Sequence, residues 1–150
     1  MKLLHVEAST YCNARCPLCP RGLYGYKVEG VWPEVHLTVD KFRECLERFP
    51  EREYVYFNGH LGDPMMNPKI VELAKLTKCR TSVTTNGSIG SRETWLALAE
   101  NNIEVTFSID GLEDTNHIYR QDVQWNKIMQ RVKWFISAGG HAIWKWIPFK

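Results

Sequence analysis

Tyr11-Cys12-Asn13-Ala14-Arg15-Cys16-Pro17-Leu18-Cys19-Pro20-Arg21 puts three of the chain's five cysteines in the spacing C-x3-C-x2-C. The stretch follows an apolar segment, Leu3 to Ala8, that reads as a buried strand, while Asn13, Pro17, Pro20 and Gly22 oppose either a helix or a continuing strand. Three thiolates so close on one loop form a chelate, so metal binding is the first reading. Iron–sulfur clusters favour thiolates and a four-iron cluster normally takes four, so three cysteines leave one iron open to a ligand from elsewhere. An open iron points to chemistry beyond electron carriage. Two other readings stand beside this one: a structural zinc site with His5 or His36 as fourth ligand, and thiols that merely happen to be close. Zinc loops usually pair two C-x2-C or C-x2-H halves at a distance, and no second half is visible.

The 150 residues, 44% apolar and 24% charged, suit one ordinary globular domain over 1–150 with a sizeable core. A net charge of +2 with scattered basic residues gives no argument for nucleic acid. The apolar stretch at the N-terminus is too short for a signal peptide and nothing later approaches a membrane span, so the expectation is a cytoplasmic protein with no membrane. An odd cysteine count with three in one loop fits a reducing compartment better than a disulfide framework.

Outward from the loop, the chain alternates helical and extended patterns. Residues 22–37, rich in Gly, Tyr and Pro, read as a long ordered loop over the cluster or substrate, or as a locally packed insertion. Thr38 caps a helix with Phe42, Cys45, Leu46 and Phe49 on one face, stopped by Pro50. Tyr54–Phe57 is a strand opening into Asn58-Gly59-His60-Leu61-Gly62-Asp63-Pro64. Asn67 and Pro68 begin a second helix carrying Ile70, Val71, Ala74 and Leu76. Thr81–Thr85 is a strand ending at Asn86-Gly87-Ser88, and Ser91 caps a helix with Trp95, Leu98 and Ala99 inward. Glu104–Ile109 is a strand followed by Asp110-Gly111, Trp125–Ala138 a helix ended by Gly139-Gly140, and Ala142–Ile147 a fifth strand. This order implies βαβ units on a parallel sheet, with the polar turns gathered at one face. Cys45 and Cys79 read as structural, and His60 and His117 as contact or surface residues.

The cysteine loop after the first strand, with apolar Leu18 before the last cysteine, resembles the signature of the radical S-adenosylmethionine superfamily. The resemblance implies a parallel-sheet partial (β/α) barrel with about five of the usual six strands, and a [4Fe-4S] cluster on Cys12, Cys16 and Cys19. It also implies S-adenosylmethionine on the open iron, cleaved reductively to a 5′-deoxyadenosyl radical that abstracts hydrogen from an unnamed substrate. Such chemistry needs an electron donor such as flavodoxin or ferredoxin. The Gly59–Pro64 turn resembles the family's glycine-rich element, with Asp63 where a glutamate is usual, and Gly62 and Asp63 are its best matches. Asn86, Ser108, Asp110 and Arg120 stand in turns that resemble the family's other cofactor contacts. An arginine fork suits a carboxylate and a serine hydroxyl a ribose. The turn pattern is similar to the branch that modifies peptides and often carries a cysteine-rich SPASM region, so a peptide is among the substrates implied. No cysteine follows Cys79, so auxiliary clusters are not expected, and the chain stops after about strand five. Trp144 and Trp146 on one face, with Ile143 and Ile147 opposite, leave an edge expected to associate with a second copy or to lower solubility. The alternative function is non-enzymatic: an iron–sulfur or zinc protein, a degenerate or truncated relative.

Overall fold

In the computed structural model, which describes residues 2–23 and 33–149, five parallel strands form one sheet in the order β1-β2-β3-β4-β5. They are β1 (Leu3–Val6), β2 (Tyr54–Asn58), β3 (Arg80–Thr85), β4 (Glu104–Ser108) and β5 (Ala142–Lys145). The helices are α1 (Pro20–Leu23), α2 (Val39–Arg48), α3 (Ile70–Leu76), α4 (Arg92–Glu100), α5 (Asn116–Tyr119) and α6 (Trp125–Ser137). Neighbours in sequence are neighbours in space, with no reversal of strand order. A sheet without a switch point keeps its crossovers on one side and curls, which gives the expected partial barrel rather than a doubly wound sheet.

The pleat explains the two faces. Val6, Val55, Phe57, Val83, Val105 and Phe107 are buried against Phe42, Leu46, Leu73, Trp95, Leu98, Ile128 and Phe135 of the helices. Each such side chain contributes about 1.5–3 kcal/mol by leaving water. Trp95 stacks on Phe107 at 5.3 Å and meets Phe135 edge-on, and its indole N–H donates to the Ile89 carbonyl. The alternate positions are polar: Tyr54 bonds Ser82, Tyr56 bonds Thr84 at 2.9 Å, and His5 pairs in register with Tyr56. This polar face is the concave side of the curl.

Caps follow their residue types. Thr38 accepts from the Lys41 amide and Ser91 from the Thr94 amide, each satisfying a donor at a helix start. Several boundaries differ from the sequence expectation. Helix α2 ends at Arg48, so Phe49 leaves the apolar face and is 52% exposed. Helix α3 proper starts at Ile70 rather than Pro68, after a turn that Asn67 caps: its Oδ1 accepts from the Lys69 amide, while its Nδ2 donates to the Ala8 and Leu37 carbonyls. Ile70, Leu73 and Ala74 are the buried residues of that helix, whereas Val71 is only partly buried. Ile136 lies outward on α6, β4 ends one residue before Ile109, and β5 ends at Lys145. Of the long loop at 22–37, residues 24–32 lie outside the described residues. Residues 35–37 return to pair with 8–10.

Candidate active site

The ends of the first four strands converge on a cavity of about 310 Å³. Cys12, Cys16 and Cys19 line it from the first turn, Gly62 and Asp63 from the second, Asn86 from the third, Ser108 from the end of β4 and Arg120 from just past α5. Eight of the nine residues expected from the sequence therefore share one space. The ninth, Asp110, lies behind it, with a fully buried side chain whose Oδ2 accepts from Arg120 Nε at 2.5 Å and Oδ1 from the Ile147 amide at 2.8 Å. Asp110 thereby orients Arg120, which does line this cavity, and itself lines the apolar cavity beside it.

Arg120 also points Nη1 at the Cys16 sulfur, 3.6 Å away. Burial pushes the Cys16 thiol up, and the Arg120 guanidinium pulls against that shift. Burial raises the Cys12 thiol to about 12, with the Asp63 carboxylate adding to it. Both shifts favour the protonated thiol over the thiolate. Neither His5 nor His36 lines the cavity: His5 bonds the Asn58 carbonyl, and His36 lies against Ser9 and Tyr11.

The second turn is held by close backbone contact. A Cβ on Gly62 would fall 2.1 Å from the Ser9 carbonyl oxygen and 2.6 Å from that of Tyr11, so only glycine fits. The Asp63 amide donates to Tyr11 O at 2.8 Å. The Asp63 side chain, 4% exposed, accepts from the Met65 and Asn86 amides and from the Thr85 hydroxyl, clasping the second turn to the third. Burial raises its pKa against those hydrogen bonds, which favour the carboxylate. Asn86 donates to Asn13 Oδ1 at 2.9 Å and accepts from the Ser88 amide and hydroxyl, while Asn13 donates to Ser88 at 2.8 Å.

Several contributors escaped the sequence reading. Arg21, only 9% exposed, donates to the Thr10 and Leu61 carbonyls and pairs with Glu34 at 3.3 Å, joining the first two turns. Asn116 accepts from the Asp110 amide at 3.0 Å. The signal available for Arg21 was its place right after the cysteine loop; for Asn13, Ser88 and Asn116 there was none beyond turn-forming residue type. Beside the site lies an apolar cavity of about 920 Å³ whose lining includes Leu18, Ile118, Tyr119, Trp144 and Trp146.

Among curated proteins the chain is similar to a tungsten-containing aldehyde ferredoxin oxidoreductase cofactor-modifying protein of Pyrococcus furiosus, 29% identical over 94% of this chain and 41% of the relative. It is also similar to an S-adenosylmethionine-dependent nucleotide dehydratase of Flammeovirga pacifica, 27% identical over 81% of this chain and 46% of the relative. The chain thus spans less than half the length of these relatives. A solved structure of anSMEcpe with bound AdoMet superposes with a TM-score of 0.74 at 21% identity, covering 95% of this chain and 42% of that one, which is a likeness of fold. Residues 6–146 match the family model of the Radical SAM superfamily. The chain belongs to that superfamily, whose fold binds a [4Fe-4S] cluster and S-adenosylmethionine.

Proposed function

We propose that Cys12, Cys16 and Cys19 hold the [4Fe-4S] cluster and that S-adenosylmethionine lies across the cavity at the ends of β1 to β4, where it is cleaved reductively. The observation that carries this reading is the meeting of three thiols with one partly neutralised arginine in a single cavity. The cluster, when bound, supplies the electron that opens the sulfonium and so yields the 5′-deoxyadenosyl radical for hydrogen abstraction.

The chain's own residues position and shield. Gly62 and Asp63 offer backbone carbonyls to the cofactor's amino group, since both residues line the cavity and an amino group needs acceptors. Ser108 presents a hydroxyl for the ribose. Arg120, aimed by Asp110, presents its remaining donors to the carboxylate. Asn86 lines the cavity while its side chain ties the cysteine loop to the third turn, so it orders the site as well as facing it.

The finer assignments belong to the same proposal. The electron donor is a flavodoxin or ferredoxin, and the reducing compartment that the cluster needs is the cytoplasm. A peptide is the first substrate to try, and the apolar cavity next to Leu18 and Tyr119 would receive its side chains. Residues 1–150 act as one radical SAM core, and the exposed β5 edge supports self-association. Anaerobic reconstitution with iron and sulfide, then reduction with S-adenosylmethionine present, tests the central claim. Formation of 5′-deoxyadenosine is the expected result. A chain that takes up the cluster but forms none is the non-enzymatic iron–sulfur protein instead.

A further inference from the structure

We propose that His5, Glu7 and His60 form a second metal site, for a divalent first-row transition ion such as zinc, separate from the cysteine loop. One ligand atom from each of the three lies within 4.8 Å of the others. His5 lies on β1 and Glu7 just beyond its end, alternate residues on one face, and His60 sits in the turn after β2. Glu7 Oε1 accepts from the His60 amide at 2.5 Å, whereas Oε2 is buried with no hydrogen-bond partner among the described residues. A carboxylate oxygen withdrawn from water without a donor is costly, and a cation on its open side removes that cost.

His5 is oriented to match. His5 Nε2 lies 2.7 Å from the Asn58 carbonyl oxygen. A carbonyl only accepts, so Nε2 carries the proton and Nδ1 keeps its lone pair. Metal-binding histidines are oriented by this same outer hydrogen bond. The His5 and His60 rings stand 5.8 Å apart at 52°, tilted rather than stacked. Ligand atoms around a tetrahedral zinc with bonds of about 2.0–2.1 Å lie about 3.4 Å apart. The observed spacing, within 4.8 Å, is wider than this, and both imidazoles are exposed. Two imidazoles with one carboxylate form the donor set of mononuclear zinc or non-haem iron with open positions, while calcium and magnesium prefer all-oxygen sites. His60 also lines the cysteine cavity, so the ion sits at its rim and turns its open positions to water or to an oxygen of an anionic molecule entering there.

Zinc is the probe, and the cysteine thiols must be kept from it. Two forms are titrated: protein loaded anaerobically with iron and sulfide, and the chain with Cys12→Ser, Cys16→Ser and Cys19→Ser, which needs no cluster. One zinc per chain is expected in both, with nitrogen and oxygen neighbours at about 2.0–2.1 Å and no sulfur at about 2.3 Å by zinc-edge X-ray absorption. Glu7→Gln and His60→Ala should each weaken zinc binding at least about tenfold, and the exposure of His60 makes its variant the less disruptive to folding. Failure of both forms to retain zinc, a sulfur shell, or affinity unchanged in both variants overturns the site. The serine form has no cluster, so its zinc result is independent of whether the chain cleaves S-adenosylmethionine.

Discussion

Arg120 joins two tasks that substitution can separate. Its Nε holds the buried Asp110 carboxylate and its Nη1 faces Cys16. In Arg120→Ala that carboxylate keeps only the Ile147 amide, and breaking a buried ion pair from one side costs about 3–5 kcal/mol, which thermal unfolding should register as a clear drop in Tm. Adding Asp110→Asn should restore much of the stability while S-adenosylmethionine affinity, read by equilibrium dialysis, stays low. Ser108→Ala should weaken that affinity about tenfold or more and leave iron content unchanged, because one hydrogen bond to a charged or polar ligand is worth about 1.5–3 kcal/mol. Equal affinity in Ser108→Ala and the Arg120→Ala/Asp110→Asn pair to that of the unaltered chain would remove both residues from the pocket. Alanine at Cys12, Cys16 or Cys19 should abolish the cluster's absorption, whereas alanine at Cys45 or Cys79, neither of which lines the cavity, should spare it. Loss of iron in Cys79→Ala equal to that in Cys16→Ala would refute the ligand set.

Among the elements, the turns are less tolerant than the helix ends. Gly62→Ala drives a Cβ into two backbone carbonyls, which cannot swing aside as a side chain does, so the second turn must part from the cysteine loop and iron uptake should fail. Gly139→Ala meets open space and suffers only from its φ of +82°, so it should cost about 1–2 kcal/mol in a denaturant titration and leave iron uptake intact. Similar losses of iron in the two variants would mean that the close approach at Gly62 is unimportant. The strands and main helices were legible in the sequence because the pleat alternates residue by residue in Tyr54-Val55-Tyr56-Phe57 and the helices bury every third or fourth residue. Residues lining the cavity were legible where a spacing carried them. The clasp of Asp63 on Asn86, the bond of Asn13 to Ser88 and the brace of Arg21 on Leu61 were not, since each joins single residues across 23, 75 and 40 positions with no local period. Phe49 misled because an apolar face continues in sequence past the point where the backbone leaves the helix. The His5, Glu7 and His60 cluster was equally hidden, because only the pairing of β1 with β2 brings the turn after β2 to the strand end.

At the scale of the whole molecule, one surface differs sharply from the rest. Trp144, Trp146, Ile118, Leu112 and Leu18 are each more than half exposed and gather around one apolar cavity at the β5 side, where the sheet has an open edge. Surface of this kind drives association. Light scattering on the 150-residue chain should therefore find dimers or larger species at micromolar concentration, and Trp144→Ser with Trp146→Ser should shift it toward monomer. A monomer at tens of micromolar in the unaltered chain would show that this face is self-sufficient. The consecutive strand order also fixes when the cavity can close. Cys16 meets Arg120 across 104 positions, so during synthesis at about 5–20 residues per second the thiols emerge about 5–20 s before their arginine does. Through that interval the cysteine loop is already made but uncovered, and a nascent chain still on the ribosome presents all three thiols to whatever delivers iron and sulfide.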